Sequence, residues 1–148
     1  MDEKWIIPCN LNHFDIEKHF SQTKRVVWRN PFTIKMGDFA YIYLTAPISA
    51  IVFRCRVISD KVSDEDLQNN QYAIPKKRSH NYFSKKTKYI IMELDRVYPK
   101  GMLTLDKLRL HGLRQVQIQA RANRHLFQYL LESDNMLELN NKDGSELS

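Results

Sequence analysis

Trp28, Arg29, Asn30 and Pro31 stand in one run, and Gly37-Asp38 follows just before the aromatic segment Phe39 to Thr45. These residue types suit recognition of a flat ring with a polar edge. An indole stacks on a planar base. Arginine and asparagine make forked hydrogen bonds to base edges or phosphate oxygens. Pro31 stiffens the loop that would carry them. A tryptophan at a strand end also serves as a cap on the core, so both uses stand open for Trp28. Trp5, Tyr41 and Tyr43 offer further aromatic walls if their strands lie beside it.

A second group of candidates fills residues 76–88. Lys76, Lys77 and Arg78 form one cluster and Lys85, Lys86 and Lys88 another, with Tyr82 and Phe83 between them. Basic side chains neutralise phosphates and release counterions, which gives affinity without sequence information. Interleaved aromatics stack on bases or wedge between base steps. His80 lies in the same segment as a further phosphate contact. The competing reading is a solvated loop whose aromatics anchor it to the core.

Signals for catalysis are poor. The chain has no Gly-rich phosphate loop, no GxSxG and no HExxH. His13, His19, His111 and His125 are scattered, and the first two fall among polar neighbours where solvation is the expected state. The carboxylates of "SDEDLQ" read as a solvated charge run. Cys9 and Cys55 sit in apolar runs, outside any metal-ligand spacing, as small buried thiols. No metal or cofactor is expected, and a binding module is favoured over an enzyme.

The 148 residues carry a net charge of +6, with 43% hydrophobic and 11% aromatic residues. That length suits one domain of the common size, about 100–150 residues. The basic balance favours an anionic partner, of which nucleic acid is the commonest inside cells. No stretch reaches the ~18 apolar residues of a spanning helix. The first ten residues lack the basic head and apolar run of a signal peptide. A cytoplasmic location without membrane attachment follows as the expectation.

Alternation marks strands over "KWIIP", Lys24 to Trp28, "FAYIYLT", "AIVFRCRVIS", "KYIIMELDRVYP" and "QVQIQ". In the fourth, Ile51, Phe53, Cys55 and Val57 fall on one face and Val52, Arg54, Arg56 and Ile58 on the other. A short helix capped at Asn12 or Asp15 reaches about Ser21, and a second covers Ala122 to Leu131. "KGMLTLDKLRLHGL" reads as a turn with short strand-like pieces. Residues 1–132 make the domain, and 133–148 read as a polar tail or linker. The pattern is α+β, a curved mixed sheet forming an incomplete barrel with two or more short peripheral helices.

At several anchors the chain resembles the EVE-domain family, a branch of the PUA-like superfamily that also includes YTH and ASCH domains. They are "WIIPCN", then "VVWRN" after a short helix, then "MGDFAYIYLT", a hairpin partner, and "RQVQIQ" before the closing helix. They run in the family's order over about Lys4 to Leu131. Here Trp28 abuts Arg29, where the family pattern has a few residues between, and the basic segment is not a general family feature. The resemblance implies a PUA-like, EVE-like pseudo-barrel whose aromatic pocket holds a modified base. It implies 5-methylcytosine or 5-hydroxymethylcytosine in DNA, rotated out of the stack, as in modification-dependent restriction systems with a nuclease effector.

On that resemblance Trp28 stacks on the base, helped by Trp5 or Tyr43, while Asn30 and Thr45 reach its polar edge. Arg29 and Lys76, Lys77, Arg78, Lys85 and Lys86 hold phosphates. Two other readings stay open: an RNA-binding domain using the same pocket, for modified or single-stranded RNA, and a small ribonuclease of the ASCH kind. A structural adaptor, with the aromatics as core, is the bland alternative.

Overall fold

A computed structural model of the chain describes residues 2–30, 33–68 and 88–147, apart from the side chains of 68 and 141–147. Pro31 and the basic residues Lys76, Lys77, Arg78, Lys85 and Lys86 lie outside the described residues.

Among the described residues, seven strands share one curved, unclosed sheet in the order β2-β5-β4-β3-β1-β7, with β6 pairing β4 off that path. They are β1 (Lys4–Cys9), β2 (Arg25–Arg29), β3 (Phe39–Leu44), β4 (Ala50–Ser59), β5 (Tyr89–Val97), β6 (Leu103–Thr104) and β7 (Ala120–Arg121). Four helices accompany them: α1 (Ile16–Gln22), α2 (Asp64–Gln68), α3 (Leu105–Leu110) and α4 (Arg124–Leu147). The β1–β3 pair is parallel and the other pairs are antiparallel, so the sheet is mixed. This is the α+β architecture expected from the alternation.

The sheet separates two cores. On one face Trp5, Ile7, Ala40, Ile42, Leu44, Val26 and Ile90 pack with Phe14 and with Ile16 of α1. On the other, Ile6, Tyr41, Tyr43 and Ile51 meet Leu108 of α3 and Leu126 and Leu130 of α4. Alternate residues of β1 and β3 thus serve opposite cores, the two-residue period of a strand buried on both sides. Burying each large aliphatic side chain contributes about 1.5–3 kcal/mol.

The expected faces of β4 need correction. Ile42 pairs with Phe53 but Tyr43 pairs with Ile51, so Val52 is an extra residue, a bulge. Val52 and Phe53 consequently both point into the α1-side core, while Ile51 turns to the other. One inserted residue exchanges the faces on either side of it.

Three local expectations also change. "QVQIQ" forms no strand, and Ile118 is exposed; alternation without a partner strand gives no ladder. "LDKLRL" is α3, with Thr104 capping it through the Lys107 amide. Residues from Ser133 onward continue α4 rather than forming a tail, and Ser133 and Asp134 are buried. Among the described residues no helix is long and apolar enough to cross a membrane.

Candidate functional site

The Gly37-Asp38 turn is built for the fold. Gly37 takes a φ of 91°, open to glycine, and its amide donates to the Val57 carbonyl at 2.8 Å. Asp38, 5% exposed, then gathers three donors. Its carboxylate accepts from the Glu3 amide at 3.1 Å, the Trp5 indole nitrogen at 3.1 Å and the Lys35 amide at 2.9 Å. Trp5 is therefore a core residue with its one polar atom satisfied inside the protein.

Trp28 lies on β2, and its ring packs against Phe14 with centroids 5.7 Å apart, at the edge of the α1-side core. The side chain is half-buried. Arg29 next to it is exposed. Asn30 follows directly after the end of β2. It is 8% exposed; its backbone amide donates to the Lys88 carbonyl at 2.8 Å, and its side-chain Nδ2 donates to the Ile34 carbonyl at 3.1 Å. The Oδ1 atom is buried and has no hydrogen-bond partner among the described residues. A buried acceptor left unpaired costs roughly 1–3 kcal/mol.

Asn30 lines a hollow of about 510 Å³ between the end of β2 and the start of β5. Thr33, Ile34 and Tyr89 form its walls, Lys35 and Lys88 bring positive charge, and Asp60 brings a carboxylate. Lys88 is the residue at which the basic segment 76–88 rejoins the described chain.

Tyr43 and Thr45 line a different hollow, at the other end of β3. The residues that the resemblance gathers into one pocket line two separate hollows among the described residues, Asn30 one and Tyr43 with Thr45 the other. Neither Trp5 nor Trp28 lines either of these two hollows. Tyr89 and Asp60 were not singled out by sequence. Tyr89 begins a strand and looked like ordinary alternation, and Asp60 opened an acidic loop.

A third polar assembly lies under α4. Asp134, 4% exposed, accepts from Tyr41 and Tyr98 and pairs with Arg54 at 3.1 Å and Arg96 at 3.3 Å. Lys4 donates from Nζ to the Tyr41 hydroxyl at 3.0 Å and lies over the rings of Phe39 and Phe127. Burial pulls the Lys4 ammonium below its ordinary pKa, against the opposing pull of Asp134. Burial pushes both tyrosines up, helped by the carboxylate. Each group here is enclosed and bonded to another, the arrangement of a fastening between helix and sheet.

His19 also departs from expectation. It is 2% exposed, and its Nε2 lies 2.6 Å from the Arg25 carbonyl, tying α1 to β2. Its place one turn after Ile16 was the available signal. Cys9 and Cys55 are buried free thiols; burial raises the Cys9 pKa to about 12. Among the described residues no cluster of His, Cys, Asp and Glu has the makings of a metal site.

No protein-family model matches this chain, and no curated protein matches it in sequence. Several solved structures share its fold. A protein of Leishmania major aligns with a TM-score of 0.59 at 13% identity, over 93% of this chain and 98% of that one. A mutant of the ASCH protein of Zymomonas mobilis aligns at 0.56 and 15%, over 88% and 95%. Human THYN1, in complex with DNA containing 5-methylcytosine, aligns at 0.54 and 13%, over 88% and 96%. At such identities the likeness establishes the fold alone: a barrel-like α+β sheet shared with these proteins.

Proposed function

We propose that this chain is a non-catalytic nucleic-acid-binding domain that draws one base into the hollow beside Asn30, with 5-methylcytosine or 5-hydroxymethylcytosine in DNA as the leading ligand. The observation that carries the reading is the buried Asn30 Oδ1, an acceptor with no partner among the described residues, in a hollow large enough for a base. A cytosine amino group supplies the missing donor, and Asp60 is a second acceptor on the same hollow. Tyr89 offers the ring wall there, a role that the sequence alone suggested for Trp28. Trp28, near the end of β2, belongs to the core edge rather than to the hollow's wall.

Lys35, Lys88, Arg29 and the segment carrying Lys76, Lys77, Arg78, Lys85 and Lys86 would neutralise phosphates. The net charge of +6 is in keeping with this. Support also comes from human THYN1, which has the same fold and was solved with methylated DNA. Rotating a base out of a duplex costs a few kcal/mol, offset by stacking of about 1–3 kcal/mol and by edge hydrogen bonds. One methyl group discriminates by ~1–3 kcal/mol, so the preference for the modified base is expected at tens to hundreds of fold.

The test is a gel-shift titration with matched duplexes carrying cytosine, 5-methylcytosine or 5-hydroxymethylcytosine, with single-stranded RNA as a further arm. Tighter binding of a modified duplex supports the reading. Equal affinity for all three duplexes rejects modified-base recognition, and preference for RNA moves the same hollow to an RNA ligand. Cleavage of labelled RNA during the incubation would instead point to a nuclease.

A further inference from the structure

Between α3 and α4 the chain makes a loop that is tied at its base and at its tip. At the base, the Asn123 side chain donates from Nδ2 to the Gly112 carbonyl at 2.7 Å. At the tip, Gln115 holds the backbone of Ile118 from both sides. Its Oε1 accepts from the Ile118 amide at 3.1 Å, and its Nε2 donates to the Ile118 carbonyl at 3.3 Å. The same Oε1 accepts from the Gln117 amide at 2.7 Å. Val116 packs against the core beneath α3 and α4 and seats the loop. Ile118, so fixed, is 61% exposed.

An exposed isoleucine is ordinary by itself. Its setting is not. Residues 107–131 hold five Lys and Arg and no Asp or Glu. Arg114, Arg121 and Arg124 are exposed, and the first two line one hollow of about 370 Å³ together with Asn123. Arg121 meets Glu3 only at 3.8 Å, an exposed pair of little strength. Next to Ile118, the Gln119 Nε2 is enclosed with no acceptor among the described residues. A buried donor ordinarily has one. The loop thus offers a fixed apolar tip, positive flanks and a spare donor. That set complements a polyanion whose apolar interior is reached between charged strands.

We propose that this loop is a wedge for duplex DNA: Ile118 enters the base stack while Arg114, Arg121 and Arg124 neutralise the phosphates beside it. Aliphatic wedges part a base step and kink the duplex by about 20–90°. A tip already held by Gln115 loses little freedom on binding. The wedge rests on the nucleic-acid reading but not on the Asn30 hollow, which lies by β2 and β5, whereas β7 ends the strand order on the other side.

The experiment measures energy transfer between dyes at the two ends of a short DNA duplex, with affinity taken from the same titration. The parent should raise the transfer on binding, because a kink draws the ends together. Ile118→Ala should lose that rise and bind about tenfold more weakly, the order expected for one large apolar contact. Its unfolding midpoint should stay near the parent's, since the side chain is exposed. Arg114→Gln combined with Arg124→Gln should lower the slope of log affinity against log salt by about 0.9 for each phosphate released. Asn30→Leu should kink the duplex as the parent does. Binding without a kink overturns the wedge alone. So do a kink retained in Ile118→Ala, a kink lost in Asn30→Leu, or an unchanged salt slope in the arginine variant. A parent that binds no duplex overturns the wedge and the DNA reading together.

Discussion

The carboxylate of Asp134 on α4 accepts a hydrogen bond from the Tyr41 hydroxyl on β3 at 2.5 Å, across 93 residues of sequence. The same carboxylate takes the Tyr98 hydroxyl and faces Arg54 and Arg96, whose side chains are 12% and 13% exposed. Arg54 also pairs with Asp95, and Arg96 with Glu138 at 2.7 Å. The charges compensate one another only while α4 stays seated on the sheet.

Asp134→Ala leaves two nearly buried guanidinium groups short of their shared counterion. Breaking one partner out of a buried ion-pair cluster costs about 3–5 kcal/mol. Urea unfolding should show a loss of that order. A loss under about 1 kcal/mol, the size typical of exposed pairs, would mean that the cluster is far more hydrated than its burial indicates.

Ending the chain after Glu132 removes Asp134 and all of α4 beyond its first nine residues. The shortened protein should lose its cooperative thermal transition, followed by circular dichroism. Retention of a sharp transition near the parent midpoint would restore the tail reading of residues 133–148.

Stability should fall as pH rises above about 10, the ordinary tyrosine pKa. Tyr41 and Tyr98 are held above that value in the folded protein, by burial first and then by their neighbours. The unfolded chain therefore loses these protons first. A raised folded pKa gives stability that is complete below the unfolded pKa and is lost as pH climbs. Lys4 acts with the opposite sign, because burial lowers its pKa from 10.5, so its contribution improves as pH approaches that value. Each tyrosine adds a slope of up to about 1.4 kcal/mol per pH unit. Urea midpoints between about pH 8 and 12 should fall less steeply for Tyr98→Phe; parallel curves would count against this assignment.

Asn30→Leu removes the unpaired acceptor together with the bond to Ile34. Losing that bond should cost about 1 kcal/mol of stability, leaving the protein folded. In the gel-shift titration affinity for the modified duplex should drop about tenfold, the value of one well-made base contact. An unchanged affinity would move the base elsewhere.

Neutralising Lys76, Lys77, Arg78, Lys85 and Lys86 together should weaken binding to modified and unmodified duplex alike. The slope of log affinity against log salt should shrink by about 0.9 for each phosphate that the variant no longer neutralises. A variant with the parent slope would return this segment to the solvated-loop reading.

Much of the local structure was legible. The alternation of "FAYIYLT" and "AIVFRCRVIS" gives adjacent strands, and Asp15 caps α1 through the Lys18 amide as its type suggests. The α+β class followed from those elements, since periodicity and capping depend on neighbours a few residues away. The function class rested on composition and on residue types around Trp28, and these pointed to nucleic acid without locating a cavity.

Other features depended on distant partners, and the tertiary structure alone decided them. The bulge at Val52 exchanged the faces of β4, because register is set by the neighbouring strand. Trp5 went to the interior because Asp38 was there to receive its indole nitrogen. Asn30 and Thr45 parted to opposite ends of β3, a separation that no spacing in the sequence records. Asp134, polar and late in the chain, became the seat of α4 because Tyr41, Tyr98, Arg54 and Arg96 converge on it. Burial makes a charge tolerable only where such partners meet, and their meeting is a property of the folded sheet.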